Sequence, residues 1–341
     1  MKKHIDYKIK FTNQATRFGY SENEIRDFLE YADELLSKGL PIIFDYNHFA
    51  GLVGYHPQYL YGASNSPSKY YRIFHIDKKN GGKRRISEPL PSLKEIQQWI
   101  LKEILYKCNF SDYAKAFIRK SSIRNNAKFH KKQNKVLSMD IRNFFESITS
   151  YKVYMFFYNL GYSTQVSGLI TNLCCLDDSL PQGAPTSPAL SNLIFLRADA
   201  RIAGFAKKYG IRYTRYADDL SFSGEFNVGM VIKFVVSVLE DEGLEINSNK
   251  TRLMHRHQRQ EVTGVIVNNK MQAPREIRRK LRQEVYYIEK YGLSSHLDKT
   301  ENCRANYIKH LLGIANHITF INPKDTEVRG YINILHGYLV K

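Results

Sequence analysis

Residues 211–224 read IRYTRYADDLSFSG, and few arrangements can accommodate them. On either side of Asp218 and Asp219, apolar and polar residues alternate, which is the period of a half-buried strand. Acidic side chains are depleted in strands. Two neighbouring carboxylates also repel unless something positive lies between them. The stretch therefore predicts a hairpin with two carboxylates at its tip, either decorating an exposed turn or holding a cation.

A second segment favours the cation. In NKVLSMDIRNFFESI, residues 134–148, a short strand from Val136 to Met139 delivers Asp140 at its end, about 80 residues before the hairpin. If these strands are neighbours, three carboxylates converge. Converging hard oxygen ligands suit Mg2+, which takes one or two carboxylates and completes its octahedron with waters and substrate phosphates. Two such ions about 4 Å apart clamp the attacking and leaving oxygens of an in-line phosphoryl displacement, as in polymerases and some nucleases. Most Asp-Asp pairs are solvated turns. The apolar flank of Tyr216, Leu220 and Phe222 and the third carboxylate set this one apart.

The remaining elements frame an α+β fold. Residues 21–39 predict a helix with a Ser21/Glu24 capping box and a stop at Gly39. Residues 61–69 read as a loop, and YYRIFHIDKKNGGKRRISEPL as two strands joined at Asn80-Gly81-Gly82. Residues 92–107 and 151–175 have helical periods. LPQGAPTSP is a loop leading into one long helix that ends near Gly210, with Pro188 in its first turn. Residues 228–243 predict a helix, LEINSNKTRLM and QEVTGVIVNNKMQ strands, and the chain from Pro274 onward basic helices. Strand, helices, hairpin, helix and strand in that order point to an antiparallel sheet packed on helices.

Charge narrows the partner. Lys and Arg outnumber Asp and Glu by 51 to 33, a formal charge of +18, and the chain has 24 Tyr and 19 Phe. Cations that track phosphates and rings that stack on bases point to nucleic acid before an anionic membrane. A merely basic chain with aromatic core residues is the plainer alternative. No apolar run is long enough to span a membrane, and the N-terminus lacks the apolar stretch of a secretory signal. Cys108, Cys174, Cys175 and Cys303 form no C-x-x-C pair. The expectation is a cytoplasmic protein with buried thiols and neither a disulfide frame nor a zinc site.

YADD at 216–219 matches the Y-x-D-D box of reverse transcriptases, and further boxes of that family stand in order around it. NKVLSMDIRNFFESI resembles the first palm motif, LPQGAPTSPALSN the second and EGLEINSNKT the fourth. KKNGGKRRISEPLPSLKEIQQWIL resembles the fingers hairpin with its following helix, and AKAFIRKSSIRNNA the next fingers block. The resemblance covers roughly residues 40–335. NNAKFH at 125–130 and EVTGVIV at 261–267 carry the N-A-x-x-H and V-T-G elements of the bacterial retron group.

This resemblance implies a right-hand polymerase fold. Residues 1–60 would form an N-terminal helical extension, 61–135 part of the fingers, 136–272 the palm with a fingers insertion around 150–180, and 273–341 a helical thumb. It implies that Asp140, Asp218 and Asp219 bind two Mg2+ ions. Phe145 would reject the ribose 2′-hydroxyl, although it or Phe144 could instead be core. Gln182 and Gly183 would line the nucleotide pocket, and Lys79 and Arg84, with Arg85, would grip the triphosphate. Lys250 resembles a palm lysine that protonates pyrophosphate, or it contacts a phosphate at a strand end. Asn126, Ala127, His130, Val262, Thr263 and Gly264 would handle a structured RNA; otherwise His130 caps a helix and Val-Thr-Gly is an ordinary strand turn. Arg275, Arg278, Arg279 and Arg282 would lie along the template–primer backbone, or form a wet face opposite the stripe Ile277, Leu281, Val285 and Ile288.

The activity so implied is RNA-directed DNA synthesis from dNTPs on the enzyme's own non-coding RNA. The product would be a branched RNA–DNA molecule, made in anti-phage defence beside an effector protein, with no membrane partner. The short stretch after the thumb helix is too small for an RNase H or endonuclease domain. A group II intron-like or abortive-infection polymerase, and a non-catalytic RNA-binding scaffold, are the competing readings.

Overall fold

The structure, a computed structural model, describes residues 2–78 and 81–339. It begins with α1 (Lys2–Arg17), which sequence periodicity did not single out. Next comes α2 (Glu22–Ser37), where Ser21 and Glu24 form the expected reciprocal capping box. Asp45 caps α3 (Tyr46–Val53). In α4 (Pro57–Asn65), Leu60 and Ala63 turn inward, which corrects the reading of 61–69 as a loop. Burial of those residues outweighs the poor helix propensity of Gly62 and Ser64. A Cβ on Gly62 would meet the Tyr70 hydroxyl, so any larger residue there requires that ring to shift.

The antiparallel hairpin β1 (Tyr71–Asp77) and β2 (Lys83–Pro89) pairs Asp77 with Lys83. Gly81 and Gly82 lie at φ +82° and +79°, the left-handed conformation a tight hairpin requires. Lys79 and Asn80 lie outside the described residues. After α5 (Pro91–Glu103) come α6 (Ile123–Phe129) and β3 (Lys135–Ile141). The helical stretch 151–175 is two helices, α7 (Ser150–Leu160) and α8 (Thr164–Cys174), separated by left-handed Gly161 and the Ser163 cap. The expected long helix is likewise divided at Phe195 into α9 (Ser187–Ile194) and α10 (Leu196–Lys208).

Next come β4 (Arg212–Tyr216), β5 (Asp219–Gly224), α11 (Val228–Asp241) and β6 (Ile246–His255). The stretch read as one strand at 260–272 instead holds a minimal hairpin, β7 (Glu261–Val262) and β8 (Val265–Ile266). Thr263 and Gly264 both have positive φ, so the chain reverses between them. The chain ends in α12 (Arg275–Tyr291), α13 (Leu293–Lys299), α14 (Tyr307–Ile321) and α15 (Thr326–Gly337).

Two units result: one runs up to Ser111 and includes Asn143–Arg197, and the other comprises Asp112–Arg142 and Ala198 onward. In the first, buried Gln97 of α5 donates to the Tyr71 hydroxyl and the Leu173 carbonyl, each at 2.8 Å. In the second, an antiparallel sheet has the order β4-β5-β3-β6. Its helical end is cored by Leu281, Val285 and Ile288 against Ile308, Leu311, Ala315 and Ile318. Ile277, expected in that stripe, is 38% exposed one turn too early to reach the core. All four cysteines are free, but only Cys174 and Cys175 are buried; Cys108 is half-buried and Cys303 exposed, which corrects the expectation of buried thiols. Among the described residues, no helix is long and apolar enough to cross a membrane.

Candidate active site

Asp140 and Asp219 are direct partners across the antiparallel β3–β5 pair. Facing residues of such a pair hold their Cβ atoms about 4.5–5.5 Å apart, so two carboxylates remote in sequence become neighbours. Asp218 stands beside them at the hairpin tip, where Ile141 N–H donates to its carbonyl at 2.9 Å. Ala217, just before it, adopts φ +57°.

The charges at this tip are unevenly compensated. Burial pushes the Asp219 carboxyl up to about 6, with Asp218 and Asp140 adding to the rise and Ser138 and Lys250 opposing it. Ser138 Oγ donates to Asp219 Oδ1 at 2.9 Å. Lys250 Nζ lies 2.9 and 3.0 Å from the two Asp140 oxygens. Among the described residues, no three His, Cys, Asp or Glu side chains are already gathered into a metal-binding set. What the tip presents is an all-oxygen donor group whose Asp140 already holds an ammonium ion with both oxygens. That chemistry fits a hard divalent cation.

Apart from Lys250, the described residues expected to meet the nucleotide lie in the other unit. Phe144 is buried and packs edge-on against Phe195, with ring centroids 5.9 Å apart. Phe145 stays partly exposed, so the adjacent rings divide into one core residue and one available for contact. Gly183 lies at φ +131°, and a Cβ on it would come within 2.7 Å of the Ser87 carbonyl oxygen of β2. The preceding residue completes this seam: Ser87 N–H donates to the Gln182 carbonyl at 2.8 Å, and Gln182 Nε2 donates to Glu146 Oε1 at 2.7 Å. Arg84 is exposed on β2. Arg85 is committed to Asp177 at 2.8 Å. Lys79 is outside the described residues.

The N-A-x-x-H and V-T-G elements meet, though mainly by burial. Asn126, Ala127, His130 and Val262 are interior, which corrects the expectation that these side chains themselves touch RNA. Hydrogen bonds give the network a direction. Thr214 Oγ1 donates to Asn126 Oδ1 at 2.5 Å, so it must accept from His130 Nε2–H at 2.7 Å. Ser223 then donates to His130 Nδ1 at 2.8 Å. Asn126 Nδ2 passes the chain on to Thr263 Oγ1 at 3.3 Å. The relay thus runs from β5 to the β7–β8 turn, where Thr263 is half-buried and Gly264 exposed.

The basic helix α12 also divides. Arg278 pairs with Asp325 at 3.0 Å and with Glu327 at 3.1 Å, and Arg282 pairs with Glu327 at 2.6 Å. These two arginines tie α12 to α15 and its cap; Arg278 is half-buried in that junction, whereas Arg282 stays exposed. Arg275 and Arg279 are exposed. Sequence reading also missed Ser138 and Arg215. The one available signal for Arg215 was a charge at period two from Tyr213, on the inward phase of a strand.

The family model described as "Reverse transcriptase (RNA-dependent DNA polymerase)" matches residues 76–315. The chain is 40% identical over 224 residues to the retron Ec86 reverse transcriptase of Escherichia coli, covering 64% of this chain and 70% of that protein. It is 32% identical over 327 residues to the retron Mx65 reverse transcriptase of Myxococcus xanthus, covering 89% and 74%. A third relative, the retron Ec83 reverse transcriptase of Escherichia coli, is 30% identical over 269 residues, covering 74% and 84%. With its paired β3–β5 aspartates inside the matched region, the chain belongs to the reverse transcriptases, the RNA-directed DNA polymerases, and within them to the bacterial retron group.

Proposed function

We propose that this enzyme copies a cognate structured non-coding RNA into a short single-stranded DNA, leaving a branched RNA–DNA product, in an anti-phage system with an effector protein in the cytoplasm. The names of its relatives support the retron part of this reading. The observation that carries the chemistry is the register pairing of Asp140 with Asp219, with Asp218 alongside.

Asp140, Asp218 and Asp219 would hold Mg2+, two ions in all. When bound, the metal stabilises negative charge as a primer 3′-hydroxyl attacks the α-phosphate of an incoming dNTP. Lys250 pairs with Asp140. Released from it, the Lys250 ammonium would donate a proton to departing pyrophosphate. In the other unit, partly exposed Phe145 blocks a 2′-hydroxyl, Gln182 and Gly183 line the pocket, and Arg84 with Lys79 grips the triphosphate. Arg275 and Arg279 follow the nucleic-acid backbone. The β1–β2 hairpin serves as fingers, the β4-β5-β3-β6 sheet as palm and α12–α15 as thumb. The buried Asn126–His130 relay shapes the Thr263–Gly264 turn toward the RNA.

Sequencing nucleic acid that co-purifies with the protein tests the reading. One RNA covalently joined to one short DNA is expected, and random-sequence DNA refutes the retron assignment. Asp218→Asn with Asp219→Asn is expected to abolish DNA synthesis; undiminished product would overturn the metal site.

A further inference from the structure

Arg215 is fully buried, where a guanidinium is costly unless it is paired and hydrogen-bonded. Two of its three nitrogens grip Asp199 of α10: Nε lies 3.0 Å from Oδ1 and Nη2 lies 2.7 Å from Oδ2. Tyr213 also donates its hydroxyl to Asp199 Oδ1 at 2.7 Å. The remaining nitrogen, Nη1, donates to the carbonyl of Ala217 at 3.2 Å. Ala217 is the left-handed residue immediately before Asp218. The Arg215 backbone is pinned on its free edge as well: its N–H donates to Tyr113 O at 2.8 Å, and its carbonyl accepts from Lys115 N–H at 2.7 Å.

Stability alone does not explain such an arrangement. Replacing a buried ion pair by apolar residues of similar volume is often neutral or stabilising. What an apolar set cannot do is reach the Ala217 carbonyl. We infer that Arg215 is a positioning residue: the Asp199–Arg215 pair is a strut that holds the left-handed Ala217 turn and thereby aims the Asp218 and Asp219 carboxylates. This rests on the proposed role of those two aspartates as cation ligands. The rigid fork matters, since lysine offers a point charge that cannot hold two Asp199 oxygens and a carbonyl in one plane.

Two variants test the strut: the apolar set Asp199→Leu, Tyr213→Phe, Arg215→Met, and the single change Arg215→Lys. Each is measured for thermal melting, for Mn2+ binding by the electron paramagnetic resonance signal of free Mn2+ without nucleotide, and for extension of a generic primed template. The expected result for both is near-wild-type melting and template affinity, with Mn2+ affinity and kcat each down about tenfold, as for lost partners that orient metal ligands. Wild-type Mn2+ affinity and kcat in either variant overturn the inference. So does a return to wild-type kcat when an unstable variant is assayed at a temperature where it is folded. Asp218→Asn with Asp219→Asn serves as the control. If Mn2+ binding and extension survive that change, the metal-site reading itself fails. If they are lost while both strut variants behave as wild type, only the strut fails.

Discussion

His130 makes the folded state sensitive to acid in a calculable way. Its ring is buried, with both nitrogens committed to hydroxyls. Burial, aided by the nearby Arg212 charge, pushes its pKa from 6.5 down to about 3. Below pH 6.5 the unfolded chain binds a proton that the folded chain refuses. Stability from this group is therefore complete above pH 6.5 and is lost as pH falls from there toward 3. Between pH 7.5 and pH 5 the loss is about 2 kcal/mol, a value insensitive to the folded pKa so long as that stays below about 4. His130→Gln keeps a neutral hydrogen-bonding side chain and removes the titration. Urea unfolding at the two pH values should show the wild type losing about 2 kcal/mol more than the variant. Far-UV circular dichroism is the proper probe, because the one tryptophan, Trp99, lies in the other unit. Equal losses in the two proteins would refute the buried neutral imidazole.

Other perturbations follow from the same geometry. Phe145→Ala should relax discrimination against ribonucleotides by more than about tenfold, roughly 1.4 kcal/mol of lost steric clash; unchanged dNTP preference in competition assays refutes the gate. Gly183→Ala combines a disfavoured φ with a clash against β2 backbone and should cost at least about 2 kcal/mol in thermal or chemical unfolding; an unaffected melting curve would show that the seam yields. Arg279→Ala should lower the log–log salt slope of template binding by about 1 at unchanged stability. Arg278→Ala leaves buried Asp325 short of a partner and should instead cost about 2 kcal/mol of stability, so an exchange of those two phenotypes would invalidate the division of α12. Asn126→Ala with His130→Ala should abolish use of the cognate RNA while sparing a generic primed template; equal loss of both would make the relay purely structural.

What the amino-acid order determined alone was whatever short-range chemistry decides. Period-two alternation and the turn placed Asp218 and Asp219 at a hairpin tip, and the strand before Asp140 could be read in the same way. The Ser21/Glu24 cap and the Gly81–Gly82 turn were equally local. Fold class and family were legible because those short motifs stand in a fixed order. Tertiary structure decided which polar side chains face water, because partners far away in sequence settle that. Asn126 meets Thr263 across 137 residues and His130 meets Ser223 across 93, so an element read as an RNA contact became an interior relay. Arg278 and Arg279 are adjacent in sequence, yet α15 and its cap claim only the first. Residues 61–65 became helical because their apolar side has a core to bury against. A local pattern records what a segment can do, but burial and pairing depend on what the rest of the chain brings to it.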